Sequence, residues 1–266
     1  MNARAPIGVF DSGIGGLTVV AALMLRLPNE RILYFGDTAR VPYGPKSPDA
    51  VRRYAREISG WLIAEGVKSI VVACNTATAH ALPLLREECP LPVIGVIEPG
   101  ARAAVRVASG GAIGVIGTTG TIASGEYARA IWREAPNARV VAQACPLFVP
   151  LVEEGWLDHP ATRLIAREYL APMLTSSVRA LVLGCTHYPL LRPLISEVMG
   201  TNVTLIDSAE ATADETARVL AEKGLLTDAQ HGAHRFVASD DPAQFLRLGQ
   251  RFLGAEIERV ETVTLG

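Results

Sequence analysis

The stretch IVVACNT at residues 70–76 is repeated as LVLGCTH at residues 181–187. In each copy a run of apolar residues leads to a cysteine, and two polar residues follow it. The string PLLR then comes after each copy, at residues 83–86 and 189–192. A short apolar run bounded by polar residues is typical of a buried strand. Because such a repeat marks a duplicated structural unit, the chain is predicted to contain two copies of one α/β unit.

A second repeat supports this interpretation. The tripeptide IGV occurs at residues 7–9 and again at residues 113–115, each time before a turn rich in glycine and polar residues. Between the apolar runs lie segments with helical periodicity, such as residues 49–65, and this alternation predicts βαβ units with a parallel sheet. The predicted strands are residues 7–10, 32–35, 70–73, 93–97, 113–116, 140–142, 181–183 and 203–206, with 235–238 and 257–263 as two further candidates.

The expected fold class is therefore α/β, with two similar lobes whose mainly parallel sheets are related by pseudo-two-fold symmetry. We expect residues 1–98 and 207–266 to form the first lobe, which carries Cys74, and residues 99–206 to form the second, which carries Cys185. The tail is assigned to the first lobe because that unit is its natural host. Parallel sheets bind ligands at the carboxyl ends of their strands, so the active site is predicted in the cleft between the lobes.

Length and composition exclude several classes of protein. The 266 residues carry 25 Lys and Arg against 27 Asp and Glu, a formal charge of −2, and no basic stripe of the kind that a nucleic-acid-binding protein needs. The apolar runs are far shorter than the roughly 20 residues that span a bilayer. Residues 1–6 lack the apolar region of a signal peptide. We therefore expect no nucleic-acid or membrane partner, and a cytoplasmic location.

The cysteines and histidines predict no metal site. The four cysteines form no CxxC or CxxH pair and are expected to be free thiols. The histidines outside the repeated motifs have no acidic companions at the spacing of metal ligands, so we interpret them as ordinary helix or surface residues. These histidines are His80, His159, His231 and His234.

Cys74 and Cys185 are the candidate catalytic residues. Each follows a predicted strand and precedes a predicted helix, whose N-terminus is expected to lower the pKa of the thiol. A single cysteine in such a place is more often a packed thiol, and Cys89 and Cys145 are interpreted in that way. Two equivalent cysteines on facing lobes, however, would hold one ligand between two thiols.

Polar residues gather at the same predicted strand ends. Taken singly, each serine or threonine is as well explained as a helix N-cap. Together they suit a small ligand with carboxylate groups. The turn at residues 41–45 is most simply a structural loop, and it could also bring Tyr43 and the Gly44 N–H over the cleft. The candidates are Asp11, Ser12, Pro42, Tyr43, Gly44, Asn75, Thr76, Thr118, Thr119, Thr121, Thr186 and His187.

Two of the polar residues are candidates for acid–base chemistry. His187 follows Cys185 by two residues and can tune that thiol or relay its proton. For Glu153, the one alternative to a functional role is that it simply lies at the end of a helix.

Two thiols without a cofactor motif favour one class of reaction. A base on one face of a carbon removes its proton and an acid on the other face returns one, which inverts the centre. The glycine-rich segment 11–16 continues with Leu17 and matches no nucleotide-binding motif. The three lysines lie in turn or helix-end contexts, which disfavours an imine-forming lysine and hence pyridoxal phosphate. We expect a small-molecule substrate and no cofactor.

Four motifs resemble those of the glutamate racemase family, within the cofactor-independent aspartate/glutamate racemase superfamily. They are DSGIGG (11–16), VPYG (41–44), CNTA (74–77) and GCTHYP (184–189), and the resemblance extends from residue 7 to about residue 223. It implies a bacterial isomerase that interconverts L- and D-glutamate and supplies D-glutamate for peptidoglycan synthesis in the cytoplasm. A homodimer is a possible assembly.

The resemblance also implies a role for each catalytic candidate. Cys74 would exchange the α-proton with D-glutamate, assisted by Asp11. Cys185 would exchange it with L-glutamate, assisted by His187 and Glu153. Two alternatives stay open at this point: an aspartate racemase or related isomerase of the same superfamily, and a non-catalytic protein whose two lobes close on an amino acid.

Overall fold

The computed structural model describes residues 2–228 and 232–265. Two parallel sheets dominate the fold. The strands are β1 (Ile7–Asp11), β2 (Ile32–Gly36), β3 (Ser69–Val72), β4 (Val93–Gly95), β5 (Ala112–Gly117), β6 (Val140–Ala144), β7 (Val178–Gly184), β8 (Thr204–Asp207), β9 (Arg235–Ala238) and β10 (Glu261–Thr262). The first sheet has the order β10-β9-β2-β1-β3-β4 and the second the order β6-β5-β7-β8.

The duplicated sequence produces the same strand order twice. The order β2-β1-β3-β4 in the first sheet corresponds to β6-β5-β7-β8 in the second. The two IGV tripeptides lie in β1 and β5, and the two cysteine motifs follow the neighbouring strands β3 and β7. Both central strands are buried on both faces, as near-continuous apolar runs require. The predicted α/β class with two parallel sheets is therefore confirmed.

Helices cover both sheets. They are α1 (Leu17–Arg26), α2 (Pro48–Ala64), α3 (Asn75–Glu88), α4 (Ile97–Ala108), α5 (Thr119–Ser124), α6 (Glu126–Glu134), α7 (Phe148–Glu153), α8 (Pro160–Thr175), α9 (Arg192–Met199), α10 (Ser208–Glu222) and α11 (Pro242–Leu253), with a 3-10 helix at Tyr188–Leu191. Helix α10 packs on α1 beside the first sheet and on α4 beside the second. One apolar cluster is therefore shared by both sheets, and it includes Val9, Leu181 and Leu220.

Three sequence predictions need correction. The strand predicted at residues 93–97 ends at Gly95, and Ile97 is the first residue of α4. The strand predicted at residues 257–263 is limited to Glu261–Thr262. The side chain of Ile257 is buried in the core, but the residue lies outside any strand. The helix predicted at 49–65 runs from Pro48 to Ala64.

The lobe boundaries at residues 98/99 and 206/207 stay a prediction. The strands β9 and β10 from the tail extend the first sheet, while α4 and α10 contact each other between the two sheets. Residues 1, 229–231 and 266 of the predicted lobes, including His231, lie outside the described residues. Among the described residues, no helix is both long enough and apolar enough to cross a membrane.

Candidate active site

The Cys74 thiol lies at the end of β3, where it serves as the N-cap of α3. Its Sγ accepts a hydrogen bond from the Ala77 N–H at 3.4 Å, and the residue is 5% exposed. Burial, together with the negative charge of Asp11, raises the pKa of the Cys74 thiol to about 12, although the N–H groups of Ala77 and Ser12 and the Ser12 hydroxyl oppose the shift. The Cys74 thiol is therefore protonated near neutral pH.

Cys185 occupies the equivalent position after β7, but a short 3-10 helix follows it instead of an α-helix. Burial raises the pKa of its thiol, the His187 N–H opposes this, and the charges of Asp11, Cys74 and Glu153 raise the pKa further. The prediction of lowered thiol pKa values is therefore wrong, because desolvation outweighs the helix termini. A negative charge on Cys74 raises the pKa of the Cys185 thiol, so the two strand ends that carry the cysteines lie near each other.

Asp11 ends β1 beside Cys74 and is fully buried. Its Oδ2 accepts a hydrogen bond from the Gly13 N–H at 3.0 Å, whereas Oδ1 has no partner among the described residues. Burial raises the pKa of this carboxyl group, and the nearby His187 counteracts part of the rise. A buried carboxylate oxygen without a partner is costly, so the site is suited to a ligand that brings a hydrogen-bond donor or a positive charge to it.

The turn after β1 contacts the Cys185 motif directly. A Cβ atom on Gly15 would lie 2.6 Å from Cε1 of the His187 ring, and closer still to Nδ1 and to the Thr186 hydroxyl. The Thr18 hydroxyl donates a hydrogen bond to the Thr186 carbonyl oxygen at 3.3 Å. Glycine at position 15 thus lets a turn from the first sheet reach the end of the second.

His187 is held between a carboxylate and an aromatic ring. Its Nε2 lies 2.9 Å from Oε1 of Glu153, which ends α7. The imidazole meets the Phe252 ring edge to face at 5.0 Å between centroids, and Nδ1 lies 3.5 Å from the Thr186 hydroxyl. The His187 backbone N–H is hydrogen-bonded to the Cys185 thiol, so the Glu153–His187 pair lies close to that cysteine in the structure.

Three threonine hydroxyls join the start of α3 to the start of α5. Thr76 lies 2.8 Å from Thr118 and 3.1 Å from Thr121, and Thr118 lies 3.0 Å from Thr121. We call these three residues the threonine cluster. Asn75 is buried beside it, and its Nδ2 has no partner among the described residues. Thr119 is exposed.

The loop of residues 41–45 departs from its predicted role in one respect. The Tyr43 side chain is fully buried and its hydroxyl is hydrogen-bonded to Asp37, so it does not extend over the cleft. The Gly44 carbonyl accepts a hydrogen bond from the Gly120 N–H at 2.9 Å, which joins the loop to α5.

Sequence reasoning missed the residue that holds this loop in place. Asp37 is buried just after β2 and also binds Arg40 at 2.7 Å and Ser239 at 2.9 Å. Its position at a strand end was the available signal.

A cavity of about 390 Å³ lies between the 41–45 loop, the start of α5 and α7. Its apolar wall is contributed by the 41–45 loop and the start of α7, and Glu153 lies in the polar part. The lining residues are Val41, Pro42, Gly44, Pro45, Thr118, Thr119, Pro146, Val149, Pro150 and Glu153. The volume accommodates a small amino acid.

Within residues 2–228 and 232–265, no group of three or more His, Cys, Asp or Glu side chains is arranged to hold a metal ion. His231 lies outside these ranges. All four cysteines are free thiols, with Cys145 buried and Cys89 half-buried. The Cys145 carbonyl accepts a hydrogen bond from the Tyr188 hydroxyl at 2.8 Å.

Comparison with known proteins agrees with this geometry. Residues 18–216 match the Asp/Glu/Hydantoin racemase family. The chain belongs to this family. The curated relatives include a glutamate racemase from Syntrophus aciditrophicus, 54% identical over 261 residues that cover 98% of this chain and 97% of that protein. A glutamate racemase from Neisseria meningitidis is 54% identical over 265 residues, 99% of this chain and 98% of that protein.

Solved structures of family members have the same architecture. A glutamate racemase isoform from Bacillus anthracis superposes with a TM-score of 0.96 at 42% identity and covers 99% of both chains. A glutamate racemase from Francisella tularensis in complex with D-glutamate gives a TM-score of 0.93 at 40% identity, covering 99% of this chain and 98% of that chain. The family resemblance inferred from the four motifs is thereby confirmed, as is the assignment to cofactor-independent racemases.

Proposed function

We propose that the protein is a racemase that interconverts L- and D-glutamate by two-base proton transfer at Cα. The observation that carries this proposal is the pair of buried thiols, one after β3 and one after β7, close enough that the charge of Cys74 raises the pKa of Cys185. A thiolate on one face of Cα removes the proton, and the thiol on the other face returns one, so that the centre is inverted. The curated relatives named glutamate racemase support glutamate as the substrate.

Each thiol has its own partner. Cys74 exchanges the proton with D-glutamate, and Asp11 lies beside it at the end of β1. Cys185 exchanges the proton with L-glutamate, and His187 with Glu153 serves as its relay. In each direction one of the two cysteines must lose its proton to act as the base, while the other keeps its proton and acts as the acid. The positive ammonium group of a bound amino acid favours the thiolate of the base, because it offsets the desolvation that raises the pKa of the thiol. The unpaired Oδ1 of Asp11 is a suitable acceptor for that ammonium group.

The remaining predicted residues supply substrate contacts. The unpaired Nδ2 of Asn75 is a donor for a carboxylate, and the hydroxyl groups of the threonine cluster are donors for a second one. Backbone groups of the 41–45 loop complete the set, since the Tyr43 hydroxyl is occupied. The proposed contacts are Asp11, Ser12, Pro42, Tyr43, Gly44, Asn75, Thr76, Thr118, Thr119, Thr121, Thr186 and His187.

The product identifies the cellular role. D-Glutamate is consumed in peptidoglycan synthesis, so we place the enzyme in the bacterial cytoplasm, in cell-wall biogenesis and the maintenance of cell shape. A homodimer is also proposed, on the family resemblance alone. Light scattering on a size-exclusion column tests it, and a monomeric mass would contradict it.

Deuterium exchange tests the proposed reaction. D-Glutamate is incubated with the enzyme in D₂O, and the Cα proton is followed by NMR while optical activity is followed by circular dichroism. Deuterium incorporation with loss of optical activity is expected. Cys74→Ala and Cys185→Ala abolish racemisation because inversion needs both faces, and the corresponding serine variants are severely impaired because a hydroxyl is a much weaker acid.

Two comparisons give this experiment its controls. Cys89→Ala removes a half-buried thiol at the opposite end of α3 from Cys74 and leaves turnover near that of the parent enzyme. D-Aspartate in place of D-glutamate is expected to turn over far more slowly. Faster turnover of aspartate would reassign the substrate. Tight glutamate binding by the parent protein without any deuterium exchange, unchanged by both Cys→Ala substitutions, would instead identify a binding protein.

A further inference from the structure

We infer that Tyr127 is a positioning residue that sets the orientation of the Asn75 side-chain amide toward the substrate carboxylate. Tyr127 lies on α6 beside the second sheet, whereas Asn75 opens α3 beside the first. Neither the repeated motifs nor the predicted contacts include Tyr127. The inference rests on the proposed racemase function, which makes Asn75 a substrate contact.

The contact between the two residues is short and buried. The Tyr127 hydroxyl donates a hydrogen bond to Oδ1 of Asn75 at 2.6 Å, and the two residues are 3% exposed each. The Tyr127 ring packs against the strand that leads to Cys185, since a Cβ on Gly184 would lie 3.0 Å from the ring. Tyr127 thus connects the Cys185 side of the site to the residue directly after Cys74.

The contact sets the orientation of the Asn75 amide. The Tyr127 hydroxyl donates to Oδ1 of Asn75, so Nδ2 of the same amide points away from the phenol. A reversed amide would place an N–H group against the phenol oxygen and take away this acceptor of the phenol proton in a buried space, which is costly. Tyr127 therefore favours the orientation in which Nδ2 of Asn75 is free to face a ligand.

The selected orientation leaves a donor available for the substrate. Nδ2 of Asn75 is buried and has no partner among the described residues. A buried amide N–H without an acceptor is unfavourable until a ligand supplies one, and a carboxylate is the acceptor that an amino acid brings. Donation from Tyr127 to the amide oxygen also polarises the amide and strengthens its N–H as a donor.

Kinetics of Tyr127→Phe test the inference. The interaction with the carboxylate is made in both the ground state and the transition state, so its weakening raises KM and leaves kcat nearly unchanged. We expect KM for glutamate to rise about fivefold, the equivalent of one neutral hydrogen bond, and kcat to change less than about twofold. Tyr169→Phe is the matched control, because the Tyr169 hydroxyl accepts a hydrogen bond from the Leu147 N–H at 3.4 Å on the surface.

A double-mutant cycle separates positioning from a merely structural role. If Tyr127 acts through Asn75, then Tyr127→Phe has no further effect on KM in the Asn75→Ala background. Near-UV circular dichroism and the thermal midpoint check folding. Should Tyr127→Phe not fold, Ser208→Ala removes a side chain that acts on the Tyr127 phenol and lowers its pKa. It is expected to raise KM two- to threefold, again only when Asn75 is present.

The outcomes of these experiments distinguish the role of Tyr127 from the proposed racemase function. An unchanged KM in folded Tyr127→Phe, or the same rise with and without Asn75, overturns the role of Tyr127 while the parent enzyme still racemises glutamate. An inactive parent enzyme overturns the proposed function itself, and the positioning role with it.

Discussion

Gly15→Ala tests whether the turn after β1 and the Cys185 motif must touch. The added Cβ would lie 2.6 Å from Cε1 of His187, and nearer still to Nδ1 and to the Thr186 hydroxyl. Ordinary van der Waals contact begins at 3.4 Å, so either the Thr186–His187 segment or the turn after β1 must move. Neither side is free to do so. His187 is held by Glu153 and Phe252, and the turn is held at Asp11 by the Gly13 N–H.

The magnitude follows from this geometry. Relief of the clash moves His187 or the turn by about 1 Å, a displacement of a catalytic group that costs about 100-fold in rate. We therefore expect kcat/KM for glutamate racemisation to fall about 100-fold in Gly15→Ala. Crowding in a packed region also lowers the free energy of unfolding, by about 1–3 kcal/mol, so the protein stays folded at room temperature and its activity can be measured.

Circular dichroism of D-glutamate solutions gives the rate, and urea unfolding gives the stability. Gly60→Ala is the matched control. Gly60 lies in α2, and an added Cβ there would meet nothing within 4 Å, so alanine is expected to stabilise the helix by about 0.5–1 kcal/mol without changing the rate. A Gly15→Ala enzyme with nearly normal turnover would refute the claim that the close approach of the two lobes shapes the site.

Three further predictions concern single groups. Glu153→Gln weakens the relay to His187 and is expected to lower kcat/KM about tenfold. The two enantiomers are equal in free energy, so the loss is equal in both directions, but the α-deuterium isotope effect rises more with L-glutamate. Burial raises the pKa of the Cys145 thiol from 9.0 to about 12, so its protonated form contributes stability below pH 9 that is lost as the pH rises toward 12. The thermal midpoint should fall over that range, and less steeply in Cys145→Ala, whereas racemisation near pH 8 is unaffected. Lys68→Ala leaves the buried Glu30 carboxylate without its cation and is expected to cost about 3–5 kcal/mol in urea unfolding; a loss below about 1 kcal/mol would contradict this.

The sequence predicts the fold well because the repeat carries it. The paired IGV and cysteine segments specify two parallel sheets with equivalent strand orders, and they place Cys74 and Cys185 at equivalent strand ends. The bounds of elements are harder to predict where packing decides them. Ile97 is apolar enough to continue β4, yet it opens α4, and Ile257 is buried without belonging to a strand.

Properties that depend on how the two lobes meet could not be predicted. The sign of the thiol pKa shifts depends on burial, and no spacing in the sequence reports that the thiols are enclosed. The contact from Tyr127 to Asn75 joins helices that pack beside different sheets. Each of these follows from tertiary packing and not from a local pattern.

The threonine cluster has a consequence for how tightly the enzyme holds its ligand. The hydroxyl groups of Thr76, Thr118 and Thr121 are hydrogen-bonded to one another. When a carboxylate binds there, each hydroxyl group exchanges a hydrogen bond to another hydroxyl for one to the carboxylate. The net gain in the free energy of binding is therefore modest. An enzyme that works in both directions benefits from modest affinity, because it must release each enantiomer as readily as it binds the other.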